Sequence, residues 1–228
     1  VLAGRRLVCE ASLPLAKLIS FANRHGLAGL ETLADIPGTV GGAVVGNAGA
    51  YGRTIGEVAR RVEIFDGRRR RWISARAGRF AYRHSIFKER PWLVLQIELQ
   101  LASGDRATLV DRSREITALR RKRYLPTMRC PGSYFKNVLA KKISSATRRL
   151  IPPEKIIGGK IPTGYLLESV GALGRRVGGV EVSSFHGNLF INRGNATIKD
   201  VKKLSGDLKR LVQRKFGIKL EEEVRYVG

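Results

Sequence analysis

Three short segments carry side chains suited to acid–base and charge-stabilising chemistry. Arg83, in "YRHS", is a permanent cation that can bind a carboxylate through two parallel hydrogen bonds. Ser133 follows Gly132, and a glycine at that point suits a sharp turn that presents a hydroxyl. Glu223 closes the acidic run 221–223. Taken one at a time, each residue has a more ordinary explanation. Arg83 could be a surface arginine, Ser133 a serine in a turn, and Glu223 a solvated carboxylate.

The stretch "IPGTVGGAVVGNAGAYG", residues 36–52, contains six glycines and no charged residue. Backbone amides without a neighbouring Cβ can approach a ligand closely, and successive N–H groups can form a concave site for phosphate. The stretch is neither a Walker loop nor the G-x-G-x-x-G fingerprint. Its composition alone leaves a ligand-binding loop and a tightly packed turn region equally open.

Positive charge is the most unusual property of the chain. The sequence has 43 Lys and Arg against 19 Asp and Glu, a formal net charge of +24. Residues 116–153 contain no carboxylate at all. Such a field attracts anions, so a solvated basic surface, a phosphorylated substrate and nucleic acid are all open. Nucleic acid is disfavoured because aromatic residues are only 7% and do not alternate with the basic ones.

Several classes of protein are excluded by the same composition. No run of 18 apolar residues is present, so we expect no membrane span, and there is no signal-peptide pattern. Cys9 and Cys130 are far apart, which favours a reducing cytoplasm over a disulfide scaffold. The three histidines have no metal-ligand spacing, so we expect no metal.

Periodicity predicts helices and strands in the first half of the chain. A helix is expected from Ser12, its cap, to Gly26, with Leu15, Leu18, Ile19 and Ala22 on one face. Residues 61–74 are expected to form a hairpin that turns at Asp66-Gly67. Residues 92–101 alternate as a half-buried strand with Leu93, Leu95, Ile97 and Leu99 on one side.

The second half has its own pattern. We expect helices near 105–122, near 163–171 and from Thr197, where a capping box with Asp200 precedes a buried stripe and Gly217 ends the helix. The closing "IKLEEEVRYV" alternates as a strand. The buried stripe of the helix that starts at Thr197 comprises Val201, Leu204, Leu208 and Leu211. The predicted fold class is α+β in two domains, 1–112 and 113–228.

Four ordered segments carry a resemblance to a known family. "GLAGLETLADIPGTVGGAVVGNAGAYG" resembles the flavin-binding signature of the UDP-N-acetylenolpyruvoylglucosamine reductase (MurB) family. "YRHSIFK" resembles its Tyr-Arg-x-Ser motif, and "GSYFKN" resembles its Gly-Ser-Phe-Phe-Lys-Asn motif. "VGGVEVSSFHGNLFINRGNATIKDVKKL" with "LEEEVRYVG" resembles its C-terminal domain.

The resemblance implies a partial PCMH-type FAD-binding domain followed by a MurB-type substrate domain. It implies that NADPH-driven, FAD-dependent reduction converts UDP-N-acetylglucosamine enolpyruvate to UDP-N-acetylmuramate in peptidoglycan precursor synthesis. Arg83 would stabilise the enolate, Ser133 would protonate carbon, and Glu223 would assist that protonation. Substrate contacts fall on Arg123, Lys136 and Asn137. Cofactor contacts fall on Gly38, Thr39, Val40, Gly41, Gly42, Asn47, Gly49, Ala50 and Tyr51.

The sequence also departs from this family. Its usual Gly-Gly-Gly-Ser-Asn loop is absent, so we expect an N-terminally truncated reductase, or a fragment of a longer gene product, that holds FAD weakly or not at all. We also expect a cytoplasmic, monomeric protein. Asp35 stands in place of a glycine and His84 in place of an aspartate, and Glu222 replaces a proline. These departures support one alternative, a catalytically inactive flavin-fold protein. The positive charge supports another, a basic nucleic-acid-binding protein.

Overall fold

The computed structural model describes residues 1–125 and 127–227 and forms two compact units, Val1–Lys122 and Arg123–Gly228. The strands of the first unit are β1 Leu2–Ala3, β2 Arg6–Glu10, β3 Leu27–Ala28, β4 Gly49–Ala50, β5 Arg53–Thr54, β6 Ala59–Phe65, β7 Arg70–Ser74, β8 Leu93–Gln100 and β9 Ala102–Ser103. They form a five-stranded antiparallel sheet in the order β1-β2-β8-β6-β7 and two small two-stranded ladders, β3 with β9 and β4 with β5.

The predicted hairpin is confirmed as β6 and β7, which pair antiparallel. Its turn is stabilised by Asp66, whose carboxylate oxygen accepts hydrogen bonds from the amides of Arg68 and Arg69, each at 3.1 Å. The backbone hydrogen bond from Arg69, together with the Arg71 side chain, lowers the pKa of Asp66 to about 2. The Asp-Gly pair therefore fixes the register of the hairpin.

The central strand β8 departs from the simple alternation expected of it. Leu93 is 63% exposed, whereas Glu98, expected on the polar face, is only 4% exposed. The carboxylate of Glu98 is neutralised by two arginines of the neighbouring strand β6, Arg60 at 3.0 Å and Arg61 at 2.6 Å. A buried charge of this kind needs such partners.

Four helices belong wholly or mainly to the first unit: α1 Leu15–Arg24, α2 Val40–Gly46, α3 Ile55–Val58 and α4 Arg106–Arg123. The predicted buried face of α1 is confirmed, but Ser12 does not cap it. Pro14 occupies the N-cap position, and the Ser12 hydroxyl donates to Glu10 at 3.3 Å instead. The boundary predicted between residues 112 and 113 falls within α4.

The second unit is built from short strands around one long helix. Val138–Leu139 (β10) pairs with Lys160–Ile161 (β11). Arg176–Val177 (β12), Val180–Val182 (β13) and Phe190–Asn192 (β14) form an antiparallel sheet. Three helices complete the unit: α5 Ser145–Arg149, α6 Thr163–Glu168 and α7 Ile198–Phe216.

Helix α7 matches its prediction closely. The Thr197 capping box with Asp200 is present, and Gly217 ends the helix in the left-handed conformation at φ 69°. The buried stripe runs through Leu204 and Leu208 and continues to Val212 and Phe216, while Val201 and Leu211 are half-buried. The stripe follows i, i+4 spacing because one face of the helix covers the core.

Two predictions for the second unit were wrong in extent. Helix α6 ends at Glu168, three residues early, because Gly171 adopts the left-handed conformation at φ 68°. Residues 218–227, expected as a strand, make an isolated bridge between Phe135 and Glu222 but no named strand. Among the residues that the structure describes, no helix is long and apolar enough to span a bilayer.

Candidate functional site

Helix α2 and the turn before it present a surface with few side chains. Val40 and Val44 are fully buried, whereas Gly38 and Gly42 are exposed. A Cβ built at Gly38 or Gly46 would meet no atom within 4 Å. The glycines therefore leave an open surface against which a flat ligand can lie at backbone distance.

The backbone amides at the start of α2 already have protein acceptors. Val40 N–H donates to the Leu13 carbonyl at 2.9 Å, and Gly41 N–H donates to the Ala11 carbonyl at 2.8 Å. Gly42 N–H donates to the Thr39 hydroxyl at 3.3 Å. These three amides therefore do not form the concave phosphate site that the glycine content suggested. The glycines of this segment instead allow the backbone to pack closely and a ligand to approach it.

The segment around Arg83 is docked on the glycine-rich stretch by three hydrogen bonds. The Asn47 side-chain amide donates to the Ala81 carbonyl at 2.7 Å, and the Arg83 guanidinium donates to the Gly49 carbonyl at 2.9 Å. The Ser85 hydroxyl donates to the Val45 carbonyl at 2.7 Å. Two motifs that are more than 30 residues apart in sequence thus form one surface of the first unit.

Three non-glycine residues of these two motifs have left-handed backbone. Asn47, Tyr51 and Arg83 have φ values of 45°, 49° and 53°. Non-glycine residues adopt this region at a cost, and such strain is often found at functional sites. Tyr51 is 48% exposed beside the glycines. Asn47 is buried with both ends of its amide engaged, since its oxygen accepts from Gly56 N–H at 3.0 Å.

Asp35 also has positive φ, at 62°, a conformation that aspartate tolerates better than most residues. Its carbonyl accepts a hydrogen bond from Arg120 at 3.2 Å, and its carboxylate lies 3.6 Å from the Arg121 guanidinium. The carboxylate is therefore directed at α4 and neutralised there. His84, the other departure near this surface, contacts Glu89 at 3.0 Å.

In the second unit, Ser133 and Glu223 lie on neighbouring backbone segments. Ser133 forms a bridge with Leu189, and Glu223 N–H donates to the Tyr134 carbonyl at 2.8 Å. The hydroxyls of Tyr134 and Tyr226 are hydrogen bonded, which ties the C-terminal segment to the same strand-like stretch. Burial, then this hydrogen bond, raises the pKa of Tyr134.

The three consecutive glutamates have different surroundings. Glu221 accepts a hydrogen bond from Lys136 at 3.1 Å, which lowers the pKa of its carboxyl. Glu222 accepts from Lys209 at 2.7 Å and from Ser205 at 3.2 Å, on α7. The first two carboxylates are thus tied to lysines. Glu223 is held through its backbone beside Tyr134, the residue that follows Ser133.

The three predicted substrate residues differ in their contacts. Lys136 is ion-paired with Glu221. The side-chain oxygen of Asn137 accepts from Thr163 N–H at 3.1 Å, at the start of α6. Arg123 is exposed at the end of α4, and its charge adds to the desolvation that lowers the pKa of His186.

Two residues with direct contacts to the Ser133 segment were not singled out from the sequence. The hydroxyls of Tyr124 and Ser133 are hydrogen bonded at 3.2 Å. Asn188, only 2% exposed, accepts from Phe135 N–H and donates to the Phe135 carbonyl, both at 2.8 Å. Neither stands in a pattern that marks it, because each contact joins segments that are separate in sequence.

Comparison with known proteins decides the family. The FAD binding domain family matches residues 2–68, and the C-terminal domain of UDP-N-acetylenolpyruvoylglucosamine reductase matches residues 125–227. The reductase of Solibacter usitatus is 44% identical over 226 residues, covering 99% of this chain and 72% of that protein. This chain belongs to the UDP-N-acetylenolpyruvoylglucosamine reductase (MurB) family. The resemblance noted in the sequence is confirmed. The predictions of an oxidoreductase and of a fold that mixes helix and sheet are confirmed with it.

Other MurB proteins agree. The reductase of Rubrobacter xylanophilus is 38% identical over 229 residues, covering 100% of this chain and 70% of that protein. The crystal structure of MurB from Thermus caldophilus superimposes with a TM-score of 0.74 at 30% identity, covering 98% of this chain and 73% of that one.

The residues present fit FAD at α2. The matched FAD-binding region includes the whole helix, and its exposed glycines leave room for a flat ring to contact the backbone. Gly38, Thr39 and Gly42 are exposed, and Gly49 and Ala50 are half-buried. No group of three or more metal-ligating side chains occurs in residues 1–125 and 127–227.

Proposed function

We propose that this protein uses FAD and NADPH to reduce UDP-N-acetylglucosamine enolpyruvate to UDP-N-acetylmuramate, a step of peptidoglycan precursor synthesis. Family membership supports a reductase acting on a UDP-sugar. The observation that carries the proposal is the placement of Ser133 and Glu223 on adjacent segments of the unit that matches the MurB C-terminal domain. We assign FAD binding to residues 1–112 and substrate binding to 113–228.

When bound, FAD would supply to the enolpyruvyl carbon the hydride that it receives from NADPH. Arg83 stabilises the negative charge that develops on the substrate carboxylate, because a guanidinium matches that group in shape and charge. Its hydrogen bond to the Gly49 carbonyl holds the guanidinium beside the glycine-rich stretch before substrate arrives. A fixed donor of this kind costs little reorganisation during the reaction.

Ser133 donates the proton that completes the reduction. An alcohol is a weak acid, but a carbanion or enol carbon is basic enough to take its proton when reach and driving force suffice. The bridge to Leu189 fixes the serine backbone, and Gly132, at φ 88°, permits the turn that precedes it. Glu223 assists from the neighbouring segment.

Anionic parts of the substrate are assigned to Arg123, Lys136 and Asn137. The diphosphate of a UDP-sugar is drawn to the carboxylate-free, basic run that contains these residues. Lys136 is held in place by Glu221 at 3.1 Å and can exchange that partner for phosphate. A cytoplasmic location and a monomeric state stay predictions from the sequence.

Substrate-dependent NADPH oxidation by the FAD-loaded protein tests the proposal. We expect Ser133→Ala and Glu223→Gln each to lower kcat by about 100-fold to 10,000-fold, the range for loss of a proton donor. Ser145→Ala and Glu154→Gln are matched controls, since both side chains are exposed in the same unit. These control variants should keep the parent rate.

Two results would contradict the proposal. Full turnover in Ser133→Ala would remove Ser133 from the reaction. A folded protein with bound FAD that oxidises no NADPH when the enolpyruvyl UDP-sugar is added would instead support the inactive flavin-fold alternative.

A further inference from the structure

We propose that Tyr124 is a positioning residue that orients the Ser133 hydroxyl and restores its proton. The inference rests on the proposed role of Ser133 as proton donor. The Tyr124 and Ser133 hydroxyl oxygens are 3.2 Å apart, within hydrogen-bond distance. Tyr124 stands nine residues before Ser133, so this contact depends on the fold of the second unit rather than on a local motif.

Backbone contacts hold the main chain of Ser133, but they do not set the direction of its hydroxyl. The bridge to Leu189 and the Tyr134 N–H bond to the Asn188 carbonyl at 2.9 Å hold the main chain. A serine hydroxyl rotates to suit its partners. The hydrogen bond to Tyr124 restricts that rotation and selects the direction of the serine O–H. Both residues are half-buried, which limits competition from water.

The proton balance gives Tyr124 a second task. When Ser133 protonates the substrate carbon, its O–H bond breaks and the carbon lone pair forms a C–H bond, leaving negative charge on the serine oxygen. A phenol is a stronger acid than an alcohol, so the Tyr124 proton moves to that oxygen. Solvent water then returns a proton to the phenolate. No further reductant or oxidant is required.

Tyr124 lies in the most basic part of the sequence. The residue directly follows Arg123 in the basic run, and residues 116–153 contain no carboxylate. Positive potential of this kind attracts the anionic substrate to the segment that contains Tyr124 and Ser133.

Tyr124→Phe tests the inference because it removes only the hydroxyl. The control is Tyr165→Phe in the same unit, where the ring contacts Lys155 through its face. In Tyr124→Phe we expect kcat to fall at least about tenfold while the dissociation constant for the UDP-sugar, measured by calorimetry, is unchanged. The solvent deuterium isotope effect on kcat should increase, since protonation becomes rate-limiting. Tyr165→Phe should match the parent in all three.

A double variant separates this inference from the proposed function. In the Ser133→Ala background, Tyr124→Phe should cause no further loss, because Tyr124 acts through Ser133. Additive losses, or an unchanged isotope effect, would show a merely structural role and overturn the inference. Should Tyr124→Phe unfold at a lower temperature, the isotope effect still decides, since lower stability alone does not change it. Parent-like kinetics in Tyr124→Phe with a disabled Ser133→Ala would overturn only this inference, whereas an active Ser133→Ala would overturn the proposed function with it.

Discussion

His186 is surrounded by groups that act on its pKa in opposite directions. Desolvation is the largest influence and lowers the pKa, the Arg123 cation lowers it further, and the Glu168 carboxylate raises it. The imidazole lies 3.9 Å from the Glu168 carboxylate and is mostly buried. The net result is a histidine that stays neutral at a lower pH than usual. Because its ring also accepts from Asn188 N–H, the neutral form belongs to the folded structure.

Removing either charge should move the pKa of His186 in a known direction. We expect Arg123→Gln to raise it and Glu168→Gln to lower it, as followed by NMR titration of the imidazole protons. Arg148→Gln, an exposed change in the same unit, should leave it as in the parent. An unchanged titration in both Arg123→Gln and Glu168→Gln would show that neither charge acts on His186.

The same shift gives a pH dependence of stability. Since the folded pKa lies below the unfolded value of about 6.5, the unfolded chain binds the proton more readily. The contribution of His186 to the free energy of unfolding is therefore complete above that value and is lost as the pH falls below it. In His186→Gln, this part of the pH dependence should disappear from denaturant titrations.

At the scale of one element, α2 contains two neighbouring glycines with different tasks. A Cβ at Gly41 would lie 2.9 Å from the Ala11 Cβ, closer than real Cβ atoms come. A Cβ at Gly42 would meet only the Thr39 hydroxyl, at an ordinary 3.7 Å. Gly41 faces the core and Gly42 faces outward. The first glycine serves packing, and the second serves the open face assigned to FAD.

Alanine at these two positions should separate folding from cofactor binding. Gly41→Ala should lower the free energy of unfolding by about 1–3 kcal/mol through overpacking. Gly42→Ala should leave it unchanged or raise it by up to about 1 kcal/mol, since alanine favours helix. Gly42→Ala should nevertheless weaken FAD binding, because the methyl group occupies the open face. Chemical denaturation and FAD titration measure the two effects. Parent-like FAD affinity in Gly42→Ala would remove α2 from the cofactor site.

At the scale of the whole molecule, the net charge of +24 far exceeds what a UDP-sugar requires. Some arginines are paired with carboxylates, as where Arg70 pairs with Glu63 at 3.0 Å. The value of +24 already counts those carboxylates, so the excess of positive charge remains. The two tryptophans are half-buried and carry arginine guanidinium groups on their faces, Arg61 on Trp72 and Arg71 on Trp92. They are therefore not presented as stacking platforms for bases.

This charge predicts nucleic-acid binding that depends on salt and not on sequence. Raising salt from about 50 to about 200 mM should weaken binding to mixed RNA on the order of 1,000-fold, because binding of this kind is driven by counterion release. Fluorescence anisotropy with two unrelated RNA sequences provides the measurement and its control. Tight binding at high salt to one sequence alone would favour the nucleic-acid alternative instead.

Much of the molecule was determined by local sequence. The Asp66-Gly67 turn, the Thr197 capping box and the Gly217 end of α7 follow from backbone preferences and short-range hydrogen bonds. The ordered motifs determined the family. The turn and the helix ends depend on residues that are close together in the chain. A short sequence pattern of this kind favours one local backbone conformation.

Only the tertiary structure decided what surrounds each candidate side chain. Sequence shows three equal glutamates at 221–223, but packing ties Glu221 and Glu222 to lysines and sets Glu223 beside Tyr134. Ser12 was predicted to cap α1, but Pro14 occupies the N-cap position in the structure. The Tyr124–Ser133 bond joins segments that no periodicity relates. Such contacts arise when distant segments pack together, so their partners depend on the whole unit rather than on neighbours in the chain.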